Sequence, residues 1–215
     1  MSIRAVIFDM DGLLIDSERV GLHVMRESAL RQGCDVTLEE IRSTLGASYP
    51  SSREFYLRIH PQLDVHQMFV TFSEMMKEKA QQGQLPLKKG AAELLRFLQE
   101  KGIPRAVASS SPMHMVQAYL THTGVLPCFS AFATGTDNLP SKPDPAIFLT
   151  AAQRLNAEPA QCMVLEDSIN GVRAGRAAGM TVCMVPDMIP YTDDLKPYCD
   201  HVLDDLSQVI PLLQA

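Results

Sequence analysis

Apolar residues along the chain follow two alternating rhythms. Near-continuous apolar runs recur at positions 3–8, 104–109, 131–134, 162–166 and 181–185, as expected of strands covered on both faces of a parallel sheet. Runs with helical spacing separate them. "GAAELLRFLQEKG" puts Leu94, Leu95 and Leu98 on one face, with Gly102 placed to end the helix. "PDPAIFLTAAQRL" opens with Asp144 as N-cap and Pro145 at the first helical position, and "DSINGVRAGRAAG" opens with Ser168 as cap and stops at Gly179. This alternation from about residue 85 onward predicts an α/β fold, a Rossmann-like, doubly wound parallel sheet.

After the first strand the rhythm changes. Strand signals vanish between residues 17 and 84 and helical ones follow one another. Thr37-x-x-Glu40 and Ser51-x-x-Glu54 both have the spacing of a capping box. A longer helix, capped by Asp64 and ended near Gly83, carries Val65, Met68, Phe69, Phe72, Met75 and Met76 on one side. That stripe reads as the core of a small bundle. The chain is therefore expected to form a core domain from residues 1–16 and 85–215 and a smaller all-helical cap domain, residues 17–84, inserted after the first strand. The two crossings, near 15–17 and 85–89, have the anatomy of a hinge, and a hinged cover excludes water from chemistry.

A length of 215 residues with 46% hydrophobic content suits one good-sized core with a smaller module attached. The formal net charge of -6 argues against a nucleic acid or a membrane surface as partner, since either favours a clustered basic excess. Any phosphate must then be met locally. Five cysteines, Cys34, Cys128, Cys162, Cys183 and Cys199, show no C-x-x-C spacing and read as reduced thiols. No basic and apolar leader precedes Arg4, and no apolar run approaches the ~18 residues of a membrane span. A cytoplasmic monomer is the expectation.

In open α/β sheets ligands sit at the carboxyl ends of the strands, and here those ends are acidic and hydroxylic. The first strand ends in Asp9 and Asp11, the second in Ser109, Ser110 and Ser111, and the fourth in Glu166 and Asp167; Lys142 precedes the helix that leads into the fourth. One like-charged pair ~4 Å apart costs about 4 kcal/mol at an effective dielectric of ~20. Lys142 alone leaves a surplus of negative charge. Hard oxygen ligands at this spacing suit Mg²⁺, which leaves room for water and a phosphate oxygen.

Taken singly, each of these signals is weak. Together and in order, "FDMDG", "VASSS", "SKPDP" and "LEDS" resemble the four motifs of the haloacid dehalogenase (HAD) superfamily of phosphotransferases, and the insert resembles its helical C1 cap. Within the superfamily the chain is most similar to the β-phosphoglucomutase-like phosphatases, which include sugar-phosphate and pseudouridine-5'-phosphate phosphatases. The resemblance implies a Mg²⁺-dependent phosphatase for a small phosphorylated metabolite. Asp9 would be the nucleophile that forms an aspartyl-phosphate, and Asp11 the acid and base. Ser109 and Lys142 would bind the phosphoryl oxygens, assisted by amides of Met10, Asp11 and Ser110. Asp9, the main-chain carbonyl of Asp11 and Asp167 would hold the metal, with Glu166 reaching it directly or through water.

Two alternatives use related chemistry. A β-phosphoglucomutase-like isomerase would carry a cap histidine and a cap arginine, but Gly21 and Tyr49 stand near those places. A phosphoreceiver-type signalling module also clusters aspartates, a hydroxyl and a lysine, yet its acceptor normally ends the third strand. No histidine, and not Glu18, receives a role on sequence grounds.

Overall fold

The computed structural model describes residues 3–214. In chain order, β1 (Ala5–Phe8) is followed by α1 (Glu18–Leu30), α2 (Leu38–Arg42), α3 (Tyr49–Ile59) and α4 (Val65–Gln81). Then come α5 (Ala91–Glu100), β2 (Arg105–Ser109), α6 (Met113–His122), β3 (Ala131–Thr134), α7 (Ala146–Arg154) and β4 (Cys162–Glu166). The chain continues through α8 (Ile169–Ala177), β5 (Thr181–Met184), β6 (His201–Val202) and α9 (Val209–Gln214). The strands form one six-stranded sheet in the order β3-β2-β1-β4-β5-β6, with every neighbouring pair parallel. This is the α/β, Rossmann-like architecture expected.

Alternation along each strand sorts the side chains into two layers. Ala5, Ile7, Ala106, Ala108, Cys162 and Val164 face α7 and α8 through Phe148, Ala151 and Ala174. Val6, Phe8, Val107, Met163 and Leu165 face α5, α6 and α9 through Leu94, Val116 and Val209. The first layer is rich in alanine and lets α7 lie close to the sheet. Fully burying a side chain such as Phe8 or Leu165 stabilises the fold by about 1.5–3 kcal/mol, so β1 and β4 are anchored firmly enough to hold carboxylates at their tips.

Helices α1 to α4 surround their own cluster of Leu22, Met25, Ile41, Tyr56 and Met68. Val24, Met75, Met76 and Ala80 turn away from it and join the sheet domain's cluster beside α6. The connections on either side of these helices pair with each other. Ile15 bridges Leu87 in antiparallel fashion, Asp16 N–H donates to the Pro86 carbonyl at 2.9 Å, and Lys88 N–H donates to Leu14 at 3.0 Å.

Several local expectations hold. Thr37 and Glu40 make a reciprocal capping box, Asp64 and Ser168 cap α4 and α8, and Gly102 and Gly179 follow their helices with φ of 64° and 72°. Others shift. The α3 cap is Ser48, not Ser51, because Pro50 in the first turn favours the earlier start. Helix α7 begins at Ala146 with Pro145 outside it, while Asp144 still accepts the Ala146 N–H at 2.9 Å. Strand β6 went unforeseen because two residues, one of them exposed, carry no periodicity. The α4 stripe is only partly core. Val65, Met68, Met75 and Met76 are buried, whereas Phe69 and Phe72 are half-buried and line a cleft. All five cysteines are free, and among the described residues no helix is long and apolar enough to cross a membrane.

Candidate active site

The strand order reverses between β1 and β4, which opens a crevice at their carboxyl ends. Asp9 is the first residue beyond β1 and its N–H still donates to the Leu165 carbonyl of β4 at 3.0 Å. Its carboxylate therefore stands beside Glu166 and Asp167. The chain then turns sharply: the N–H groups of Leu14 and Ile15 both donate to the Met10 carbonyl, at 3.0 and 2.9 Å. Gly12 has φ of +83°, and a Cβ there would lie 2.5 Å from Asp167 Oδ2. Glycine thus allows the turn and leaves room for the Asp167 carboxylate.

Lys142 ties the crevice together. Its side chain is only 8% exposed, and Nζ lies 2.5 Å from Asp9 Oδ1 and 2.6 Å from Glu166 Oε1. It also donates to the Ala108 carbonyl at 3.3 Å and sits 4.9 Å from the centre of the Phe148 ring. Glu166 is fully buried. Its second oxygen accepts the N–H groups of Asp167 and Ser168 at 3.0 and 2.8 Å and the Ser168 hydroxyl at 2.9 Å. Both oxygens of Glu166 are therefore engaged, Oε1 by Lys142 and Oε2 by its own chain neighbours.

Asp11 has a different environment. Oδ1 accepts the Ser17 hydroxyl at 2.8 Å; Oδ2 accepts the Ser111 hydroxyl at 2.8 Å and the Ser109 hydroxyl at 3.3 Å. Ser109 Oγ in turn accepts the Ser111 N–H at 3.0 Å. Ser110 is exposed at the cleft lip, and no side-chain hydrogen bond of it is found among the described residues.

Burial, and then the charges of Glu166 and Asp11, push Asp9 up to about 8 against the pull of Lys142. Burial, then Glu166 and Asp9, raise Asp167 well above the ordinary carboxylate range. For Lys142 burial opposes the charge, but Asp9 and Glu166 outweigh it and hold the ammonium on. One ammonium does not balance these acids.

The residues fit a divalent cation. Among the described residues no three His, Cys, Asp or Glu side chains are already gathered as a ligand set. Lys142 stands between Asp9 and Glu166. Asp9 and Asp167, buried with surplus negative charge around them, offer hard oxygen donors. Such donors suit a hard divalent cation rather than a nitrogen- or sulfur-seeking metal.

Above the crevice lies a cleft of about 620 Å³ between the sheet edge and helices α1 to α4, which Asp9, Asp11, Lys142 and Asp167 line from below. Residues that sequence reasoning left out also line it. Glu18 faces it from α1 with a buried, unpartnered Oε2, and burial followed by the charges of Asp187, Asp11 and Glu166 pushes its carboxyl up to about 7. Ser17 and Ser111 were visible as hydroxyls beside "LIDSE" and "ASSS", but their convergence on Asp11 needs the fold. Tyr119 of α6 is buried against the cleft as well. His114 points instead to Ser73 of α4, 3.4 Å away.

A six-stranded parallel sheet with an acidic crevice at its switch point, beneath helices α1 to α4, defines an open α/β protein with a site suited to a cation and an anionic ligand. The family model for haloacid dehalogenase-like hydrolase matches residues 3–179, and the chain belongs to that family. It is similar to hexitol phosphatase B of Escherichia coli K12, with 31% identity over 214 residues, covering 96% of this chain and 94% of that one. It is also similar to a phosphorylated carbohydrates phosphatase of Thermotoga maritima, with 31% identity over 181 residues, covering 83% and 82%. Among solved structures, CbbY of Rhodobacter sphaeroides in complex with phosphate superposes with a TM-score of 0.83 at 25% identity, covering 96% of each chain. The chain is an enzyme of the phosphatase type within this family.

Proposed function

We propose that the protein is a Mg²⁺-dependent phosphatase for a small phosphorylated metabolite of the sugar-phosphate or nucleoside-monophosphate type, working through an aspartyl-phosphate on Asp9. The observation that carries this reading is the Lys142 ammonium bridging Asp9 and Glu166 across the switch point. That arrangement leaves one Asp9 oxygen free of the lysine and sets a positive charge where phosphoryl oxygens would arrive.

Bound Mg²⁺ supplies positive charge to the phosphoryl oxygens and the surrounding carboxylates. Asp9, Asp167 and the Asp11 main-chain carbonyl are its proposed ligands. Glu166, engaged on both oxygens by Lys142, the Asp167 and Ser168 amides and the Ser168 hydroxyl, would reach the metal directly or through water. Asp9 attacks phosphorus; its oxygen bonds to phosphorus as the ester oxygen leaves, and Asp11 delivers the proton that the leaving alkoxide takes up. Water then attacks the aspartyl-phosphate, Asp11 accepts its proton, and Asp9 is released as carboxylate with phosphate. The hydroxyls of Ser17 and Ser111, each 2.8 Å from Asp11, hold it in place for both transfers. Ser109, whose contact with Asp11 is longer at 3.3 Å, turns to the transferring group, which Ser110 and Lys142 also bind.

Residues 17–84 act as the cap in this reading and exclude water during transfer. The isomerase alternative is disfavoured, because Gly21 lies on the cleft wall beside Phe72 and offers no cap base. The test is phosphate release from phosphorylated sugars and nucleoside monophosphates with Mg²⁺, beside an EDTA control and Asp9→Asn. Release should vanish with Asp9→Asn; undiminished activity would remove Asp9 as nucleophile.

A further inference from the structure

We propose that the cleft selects phosphate monoesters whose leaving alcohol is uncharged, of about nucleoside size and presents an apolar or planar face, and that it discriminates against substrates bearing a second phosphate or a carboxylate. The proposal rests on the phosphatase reading and narrows its substrate class.

Among the described residues that line the cleft, Lys142 is the only cation, and its ammonium is already shared by Asp9 and Glu166. The other ionisable side chains on the walls are acidic: Asp9, Asp11, Glu18 and Asp167, with the phenols of Tyr49 and Tyr119. Glu18 brings no positive charge in either protonation state. The arginines of α1 are paired, Arg19 with Asp16 and Asp187 and Arg26 with Asp35, and neither they nor His23 line the cleft. Lys88 of the connection is likewise held by Asp187 at 2.7 Å. His114 stands behind Ser73, 3.4 Å away, and does not line the cleft. A second anionic group would leave water with no unpaired lysine or arginine among the lining residues to meet it, and that desolvation is unfavourable.

The cap side of the cleft is aromatic. Phe69 meets Tyr49 edge-on with ring centres 5.1 Å apart, and meets Phe72 edge-on at 6.5 Å. Leu22, Met25 and Ile41 complete that wall. Aromatic faces carry negative charge density, so they welcome a flat apolar surface and repel an anion. The polar side chains lining the cap side, Thr44, Ser48, Ser52 and Ser73, are neutral hydroxyls; Thr44 donates to the Ile41 carbonyl and Ser73 to Met115 Sδ, and each keeps acceptor lone pairs for a sugar hydroxyl. A volume of about 620 Å³ lies well inside the ~300–1,000 Å³ of small-molecule sites and is generous for a three-carbon phosphate.

The test measures kcat/KM for the full chain with Mg²⁺ on matched substrates: uridine 5'-monophosphate against uridine 3',5'-bisphosphate, glucose 1-phosphate against glucose 1,6-bisphosphate, and glycerol 3-phosphate against 3-phosphoglycerate. Para-nitrophenyl phosphate serves as reporter of the chemistry itself. Within each pair the member with the extra anion should be at least tenfold poorer, and uridine 5'-monophosphate should exceed glycerol 3-phosphate by at least tenfold. Tyr49→Arg places a cation at a 43% exposed position and should narrow the first two gaps. Equal or better turnover of the bisphosphates by the unaltered chain overturns the proposal while leaving the phosphatase reading intact, and so does parity between the uridine and glycerol esters. If Asp9-dependent hydrolysis of para-nitrophenyl phosphate and of every pair member is absent, the phosphatase reading fails and the selectivity falls with it.

Discussion

Gly171→Ala should weaken this protein, although the same change in an exposed helix interior is normally favourable by about 0.8–1 kcal/mol. Gly171 lies in the first turn of α8, where its N–H donates to Ser168 Oγ at 3.0 Å. A Cβ there would overlap the Glu166 carboxylate, which cannot retreat because it is fully buried and held from both sides. Displacing it breaks the ion pair to Lys142 and the bonds from the Asp167 and Ser168 amides. Breaking a buried pair costs about 3–5 kcal/mol, and the helix gain offsets about 1 of these. The net loss is about 2–4 kcal/mol, or roughly 4–16 °C in Tm for a chain of this size. Thermal and urea unfolding check the stability, and phosphate release checks activity, which should fall at least tenfold as Lys142 loses its anchor. A double-mutant cycle with Glu166→Ala isolates the cause: once the carboxylate is gone, adding Gly171→Ala should cost little further. A Gly171→Ala protein as stable and as active as the parent would refute the reasoning.

Mg²⁺ should raise the stability of the parent by about 2.7 kcal/mol at a hundredfold excess over its Kd, EDTA should reverse the gain, and Asp167→Asn should abolish it; differential scanning fluorimetry is sufficient. Lys142→Met should lower kcat by about a hundredfold or more, the scale of a lost oxyanion donor, which single-turnover kinetics would read directly. In EDTA, stability should depend on pH in two opposed ways. Asp9 has a folded pKa of about 8 above its reference of 3.8, so its contribution is full below about 4 and is lost as the pH rises toward 8; Mg²⁺ should suppress that loss. Asp137 is held below the usual range by hydrogen bonds from Arg154 and the Thr134 amide, as Asp205 is by Lys89 and Ser207. Their contribution is present above about pH 4 and disappears as the pH falls through their lowered values. Urea midpoints between pH 2.5 and 8.5 would expose both slopes, and a flat profile in EDTA would contradict the charge surplus assigned to the crevice.

The sequence by itself determined the local elements and the order in which they deliver chemistry. Strands covered on both faces leave continuous apolar runs, and capped helices leave Asp64, Thr37 and Ser168 at their starts, because these signals arise from residues a few positions apart. The acidic tips Asp9, Glu166 and Asp167 were legible for the same reason, since each simply ends its strand. Only the tertiary structure decided how those tips share their partners. Lys142 reaches both Asp9 and Glu166, Ser17 and Ser111 meet on Asp11 from opposite sides of the chain, and Glu166 is filled by its own neighbours and Lys142 rather than left open. The same holds for α4, whose period is uniform while its surroundings are not. Val65 and Met68 enter the cap cluster, Met75 and Met76 enter the sheet domain's, and Phe69 and Phe72 are left facing the cleft. A helical period records that a face is apolar, but what covers that face depends on where distant parts of the chain come to rest.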